Sequence, residues 1–278
     1  MPVTIGSGSG GNDASIPNIY TSTIYDATSN NALVSNAAIG QNSSNPASTA
    51  TAIIRANPLA KDGLYWISMS GGARRTYCWF PNKGLGYMLA ARIQYDDVGT
   101  WGWSSGNWTN ATVFNDTSNA YDEVNIKTYA FTEWGISGFA MCGSRVNISY
   151  DHNPLFFPNG GGFGGNTMRT IFSQAANSWN SEINMGRGTW MTWVDRATVA
   201  RQYEFDNQPN CNEDRINTSF TYAGGRCCWS GNNEGDCNTN DSSIGVGLWR
   251  NGLQELGAGA LSWPQGDRYP CYGWLWVY

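Results

Sequence analysis

The sequence predicts a mainly β fold with irregular loops and a few short helices, an α+β domain. Three observations carry that reading. From residue 52 onward, short apolar and aromatic runs alternate with turn signals. The runs at 66–69, 76–80, 87–95, 124–134 and 138–150 each have room for a strand of about 4 to 8 residues. Glycine is abundant at 34 residues, and aromatic residues make up 14% of the chain. Only one stretch, 167–176, reads as a helix, so helical content well below a third is expected.

Residues 1–50 differ from the rest. They are rich in Gly, Ser, Asn and Ala and contain no Trp, Cys, Lys or Arg. Their apolar anchors are sparse (Ile16, Ile19-Tyr20, Ile24-Tyr25, Leu33-Val34), too few to fold alone. Two readings stand for this segment: an anchoring or oligomerisation arm that docks on a neighbour, and a flexible leader. Residues 51–278 form the globular domain.

That domain opens with Gly63-Leu64-Tyr65-Trp66-Ile67, then Arg75-Thr76-Tyr77-Cys78-Trp79-Phe80, then Gly84-Leu85-Gly86-Tyr87-Met88-Leu89. This reads as two strands and a glycine-spaced turn into a third. The doublet Arg74-Arg75 reads as a solvated turn before a strand. Trp101-Gly102-Trp103-Ser104-Ser105-Gly106-Asn107-Trp108 is an aromatic-rich loop. The run 160–165 lacks the Lys-Ser/Thr of a phosphate loop and reads as a surface loop. The terminal Cys271-Tyr272-Gly273-Trp274-Leu275-Trp276-Val277-Tyr278 reads as a buried strand that closes the sheet.

Charge and cysteine usage bound the partners. The formal net charge is −5, and the 16 basic residues are scattered, which argues against nucleic-acid binding. No run of about 20 apolar residues offers a membrane span. Only 13% of residues are charged, so the polar surface is built from Asn, Ser, Thr and Gly. Seven cysteines leave at least one without an intrachain partner. Four of them (Cys211, Cys227, Cys228, Cys237) lie close together in the chain, as a local staple or as a set of buried reduced thiols.

From residue 60 to the end, the motifs quoted above resemble those of a fibrinogen-related domain, closest to the intelectin-like branch. The matching parts are the Gly-Leu-Tyr opening, the aromatic-Cys step at Cys78, and the loop carrying Trp103-Ser104-Ser105 and Gly106-Asn107-Trp108. The segment Ala120-Tyr121-Asp122-Glu123-Val124-Asn125 and the late Cys237-Asn238-Thr239 before Ile244-Gly245-Val246-Gly247-Leu248-Trp249 extend it. The resemblance implies a fibrinogen C-terminal-like fold, used mostly to recognise sugars, acetylated groups and protein surfaces. It also implies a calcium-assisted sugar site in the late loop. Asn240-Asp241-Ser242-Ser243 stands where intelectins carry a His pair, and the half-cystine that would pair with Cys78 is missing.

Calcium takes six to eight oxygen ligands. The densest oxygen-bearing segment runs from Asn232 through Asp241, and its candidate ligands for Ca2+ are Glu234, Asp236, Asn238 and Asp241. Asn212, Glu213 and Asp214 add donors nearby, and Asp96-Asp97 is a weaker second candidate. A solvated polar turn is the competing reading. Sugar recognition calls for polar groups beside aromatic faces. Trp229, Trp249 and Trp263, with Asn240, are the candidate ligand-binding residues, and Trp101, Trp103 and Trp108 form a second aromatic set. For each tryptophan a core position is the alternative.

Catalysis has little in the sequence to support it. Glu133, Asp195, Glu204 and Asp206 have no context that marks a carboxylate pair. The sole histidine, His152, sits in Asp151-His152-Asn153-Pro154, which reads as a turn. The N-terminus lacks the basic start and apolar core of a secretory signal. These features together predict a non-enzymatic protein of a virion surface, most simply a bacteriophage capsid decoration or tail-fibre tip that attaches to host-surface glycan. Its partners would be further copies or other virion proteins, held through the N-terminal arm. The alternative is a secreted, calcium-dependent oligomeric lectin, and sequons such as Asn110-Ala111-Thr112 fit that source.

Overall fold

The computed structural model describes residues 24–25, 32–34, 38–82, 84–95, 98–145, 155–157, 163, 165–173, 211–219, 223–232, 242–250, 254–262 and 268–278. These form a mixed α+β fold with two sheets and a few short helices. The small sheet pairs β1 (Ile24–Tyr25) with β2 (Ala32–Val34). In the large one, helix α1 (Ala50–Ala56) precedes β3 (Gly63–Met69), β4 (Gly72–Asn82) and β5 (Leu85–Ile93). A short helix α2 (Val98–Trp101) and a 3-10 turn (Gly106–Trp108) lead to β6 (Ile126–Lys127), α3 (Tyr129–Thr132), β7 (Phe139–Arg145) and β8 (Leu155–Phe157). Then come α4 (Met168–Phe172) and the antiparallel meander β9 (Cys211–Ser219), β10 (Ala223–Asn232), β11 (Ser242–Arg250) and β12 (Gln254–Ser262), with β13 (Arg268–Val277) last.

The eleven-stranded sheet runs β3-β4-β5-β13-β12-β11-β10-β9. β6 joins β5, and β7 joins both β13 and β8. The terminal run is a strand, as expected, but it lies inside the sheet rather than closing it. β13 is flanked by β5 and β7 along residues 273–277, and its first residues continue onto β12. Gly273 makes this crossing possible, since a Cβ there would stand 2.6 Å from Val246 Cγ1 and 3.0 Å from Ala258 Cβ.

Both faces of the central strands are apolar. On one, Met88, Leu275 and Val277 join Ile67, Trp101, Trp108, Phe131 and Phe172 beneath α1, α3 and α4. On the other, Tyr77, Trp79, Tyr87, Trp274 and Trp276 form an aromatic layer. Alternation along β13 serves both faces, and a one-residue bulge interrupts its pairing with β5. Leu275 pairs with Ala91 and Trp276 with Leu89, so Ala90 is left over in β5. Thr128 fills this bulge, its N–H donating to Ala90 O (3.0 Å) and its hydroxyl to Leu89 O (2.6 Å).

The same threonine corrects the expectation of one strand over 124–134. Its Oγ1 also accepts from Ala130 N (3.1 Å), which caps α3 and turns the chain out of the sheet after Lys127. A second correction concerns Arg74-Arg75, which lie in β4 and not in a solvated turn. Arg74 donates from Nε and Nη2 to the two carboxylate oxygens of Glu133 (3.1 and 2.9 Å) and lies 4.0 Å over the Tyr129 ring. The short helix expected over 167–176 is α4, capped by Thr167. Helix α1 was not expected; Thr49 Oγ1 accepts from Ala52 N (2.8 Å) and starts it.

The compositional boundary at residue 50 coincides with the first residue of α1. The chain meets the sheet before that point. Ala47 N donates to Trp66 O, Ser68 N to Ala47 O and Trp66 N to Gly40 O, and Ala47 is buried in the core. Among the described residues, no helix is long and apolar enough to cross a membrane.

Candidate functional site

An open groove of about 540 Å³ lies where the end of β5 meets the loops that lead into β6. It is lined by Gln94, Thr100, Asn107, Phe114, Asn115, Glu123, Val124 and Asn125. Four of these eight carry primary amides, and only Glu123 ionises.

Local chemistry fixes each wall. Gln94 follows β5, where its backbone N–H donates to Asn125 Oδ1 (2.8 Å) and its side-chain amide to Glu123 O (2.6 Å). Asn115 takes a left-handed backbone at φ 51°, a conformation that asparagine tolerates better than most residues. That turn lets its amide donate to Asn125 O (2.8 Å), tying the 115 and 125 ends of the loop together. Phe114 is held next door by two backbone bonds with Lys127, both 3.0 Å. Asn107 sits on the 3-10 turn. Ser105 caps that turn, and the Asn107 amide donates to Thr100 O (3.0 Å).

Two buried cations support the walls from behind. Lys127 is fully buried, and its Nζ donates to Asn107 O (2.6 Å), Asn110 O (2.8 Å) and Asn110 Oδ1 (2.9 Å). Burial, with a smaller push from the Arg169 guanidinium, takes its pKa down to about 8. Arg92 projects to the opposite face. It is 2% exposed, donates from Nη1 to Val124 O (2.7 Å) and stacks on the Tyr272 ring at 4.7 Å. Burial lowers its pKa as well, and its Nε has no hydrogen-bond partner among the described residues.

The tryptophans of the aromatic loop divide between core and surface. Trp101 and Trp108 are fully buried, 4.7 Å apart edge to face, and Trp108 Nε1 donates to Gly102 O (2.8 Å). Trp103 is half-buried. It carries the Arg226 guanidinium 4.5 Å over its ring, and its carbonyl accepts from Arg226 Nε (2.7 Å). Half-buried Trp249, a candidate from sequence, stands 6.1 Å from Trp103. The fold therefore joins these two across the chain, and neither is among the eight residues that line the groove.

Trp229 lies on β10, its backbone paired with Asp214 and Ile244. The register sets Asn212 opposite Gly231 and Glu213 opposite Ser230. Trp263, Asn240, Glu234, Asp236, Asn238 and Asp241 lie outside the described residues, as do Asp96, Asp97, His152, Asp195, Glu204 and Asp206. Among the described residues, no three His, Cys, Asp or Glu side chains converge as a metal site would require. Glu133, the remaining carboxylate considered for catalysis, is the ion-pair partner of Arg74. Cys78 is a buried free thiol, and Cys227 is buried on β10.

Sequence reasoning missed Gln94, Asn115, Glu123, Asn125 and Lys127. One signal was available: a lysine inside the apolar run Val124-Asn125-Ile126-Lys127-Thr128-Tyr129-Ala130-Phe131 has to place its charge somewhere. No family model and no curated protein matches this sequence.

Proposed function

We propose that this chain is a non-enzymatic virion surface protein, a capsid decoration or tail-fibre tip, that binds host-surface glycan in the groove between β5 and the 98–125 loops. The observation that carries this reading is the lining of the groove. Four amides line it, Thr100 adds a hydroxyl, and Phe114 and Val124 supply apolar surface. Hydroxyl-rich, largely uncharged ligands need that combination, in which hydrogen bonds set orientation and apolar faces bury ring carbons. The openness of the groove to solvent suits a chain end or branch of a surface polysaccharide. A fibrinogen C-terminal-like identity, with calcium held by the 234–241 segment, belongs to the same proposal and rests on the motif resemblance alone.

The test is binding of the purified, folded protein to a microbial glycan array, in calcium and again with excess chelator. Wild type binds, and Gln94→Ala, which loses an amide from the groove wall, binds at least tenfold more weakly. Loss on chelation supports the calcium part of the proposal. Binding by neither protein in either condition removes the glycan reading and leaves structural decoration of the particle.

A further inference from the structure

Glu123 is the single ionisable residue in the lining of the groove, and its residue is exposed. Its backbone is fixed: the Glu123 carbonyl accepts from the Gln94 side-chain amide (2.6 Å), and the next carbonyl, that of Val124, accepts from Arg92 Nη1 (2.7 Å). Its carboxylate makes no hydrogen bond or salt bridge among the described residues. The neighbouring Asp122 differs, because its carboxylate already accepts from Asn119 N (2.9 Å). The two buried cations behind the walls are committed elsewhere. Lys127 Nζ is bonded to oxygens of Asn107 and Asn110, and Arg92 lies against the Tyr272 and Trp274 rings at 4.7 and 5.5 Å. Neither lines the groove, and Arg92 acts on Glu123 only through its field.

A ligand that covers Glu123 takes water from a carboxylate, which costs free energy unless the ligand supplies a donor. A sugar hydroxyl supplies one. An ammonium group supplies a donor and the opposite charge together. A uronate, sulfate or phosphate group brings a like charge and no compensation. We infer that the groove selects glycans by charge, favouring those with a free amino group and rejecting acidic ones, with Glu123 as the specificity-determining residue. This selectivity rests on the glycan reading above. Its size is set by exposure, since a carboxylate–ammonium pair in a solvent-open groove is worth about two- to fivefold in affinity.

The test uses a microbial glycan array with amine-bearing, neutral and acidic members, probed as printed and again after N-acetylation of its free amines. Wild type is compared with Glu123→Gln and Glu123→Lys, and the hits are measured again in solution by calorimetry. Both variants keep the backbone carbonyl that holds Gln94, and the glutamine keeps the side chain's shape, so it removes charge alone. Wild type should favour amine-bearing glycans and lose about two- to fivefold when they are N-acetylated or when NaCl is raised to 1 M. It should bind acidic glycans more weakly than neutral ones by a similar factor. Glu123→Gln should show neither preference, and Glu123→Lys should bind acidic glycans best. Two results overturn the inference and leave the glycan reading standing: wild-type binding indifferent to amino and acidic groups, or a charge preference that persists unchanged in Glu123→Gln. Absence of binding to every glycan by folded wild type removes both.

Discussion

Replacing Gly247 with alanine probes how the C-terminal meander is pinned to the aromatic loop. Gly247 sits in β11 at φ +60°, in the left-handed region. A Cβ there would meet Arg226 Cγ at 2.6 Å, Trp108 Cζ2 at 2.7 Å and Arg226 Cβ at 2.8 Å. The left-handed backbone costs an alanine about 1–2 kcal/mol. Crowding of this kind costs roughly 1–3 kcal/mol more, because Trp108 is fully buried and cannot swing clear. Together these predict a loss of about 2–5 kcal/mol, read from urea unfolding followed by tryptophan fluorescence under reducing conditions.

Two comparisons separate the contributions. Gly106→Ala places its Cβ in open space without a left-handed φ, so its stability should stay within about 0.5 kcal/mol of wild type or improve. In an Arg226→Ala background the Cγ contact is gone, and the cost of Gly247→Ala should fall by about 1 kcal/mol. A loss below about 1 kcal/mol for Gly247→Ala would refute the argument. An unchanged cost in the Arg226→Ala background would refute the Arg226 Cγ share of the clash and leave the backbone and the Trp108 contact.

Two further substitutions test the loop and the hairpin. Trp108→Phe removes the Nε1 donor to Gly102 O and thins the contact with Phe172 at 4.9 Å, so it should cost about 2–4 kcal/mol and lower the thermal midpoint measurably by calorimetry. Glu133→Gln breaks the fork to Arg74, whose side-chain exposure is 30% against 19% for the glutamate. That pair is partly solvated and should be worth about 1 kcal/mol at low salt, with the gap between variant and wild type closing in 1 M NaCl.

The strands at 66–69, 76–80 and 87–95 were legible because each packs an apolar surface against a sheet neighbour, and the residues that do this are written consecutively. So was α4, where a threonine cap precedes the apolar turn. The 124–134 run was not legible, because its apolar residues serve two elements. Thr128 ends the strand through a bond to Leu89 O, a partner 39 residues away in the chain.

The groove was less legible still. Its lining comes from the end of β5, the 3-10 turn and the segments that lead into β6, and none of those amides stands out in a polar, asparagine-rich sequence. Trp101 and Trp108 show the converse, since nothing in their spacing separates them from Trp103. Composition and periodicity alone determined a strand-dominated domain with little charge and much of its apolar content in aromatic rings. Tertiary structure decided which tryptophans became core, where Arg74 found its carboxylate, and that a buried lysine holds the loop of the groove. Those outcomes depend on contacts between distant segments, and on the requirement that every buried polar group find a partner when they meet.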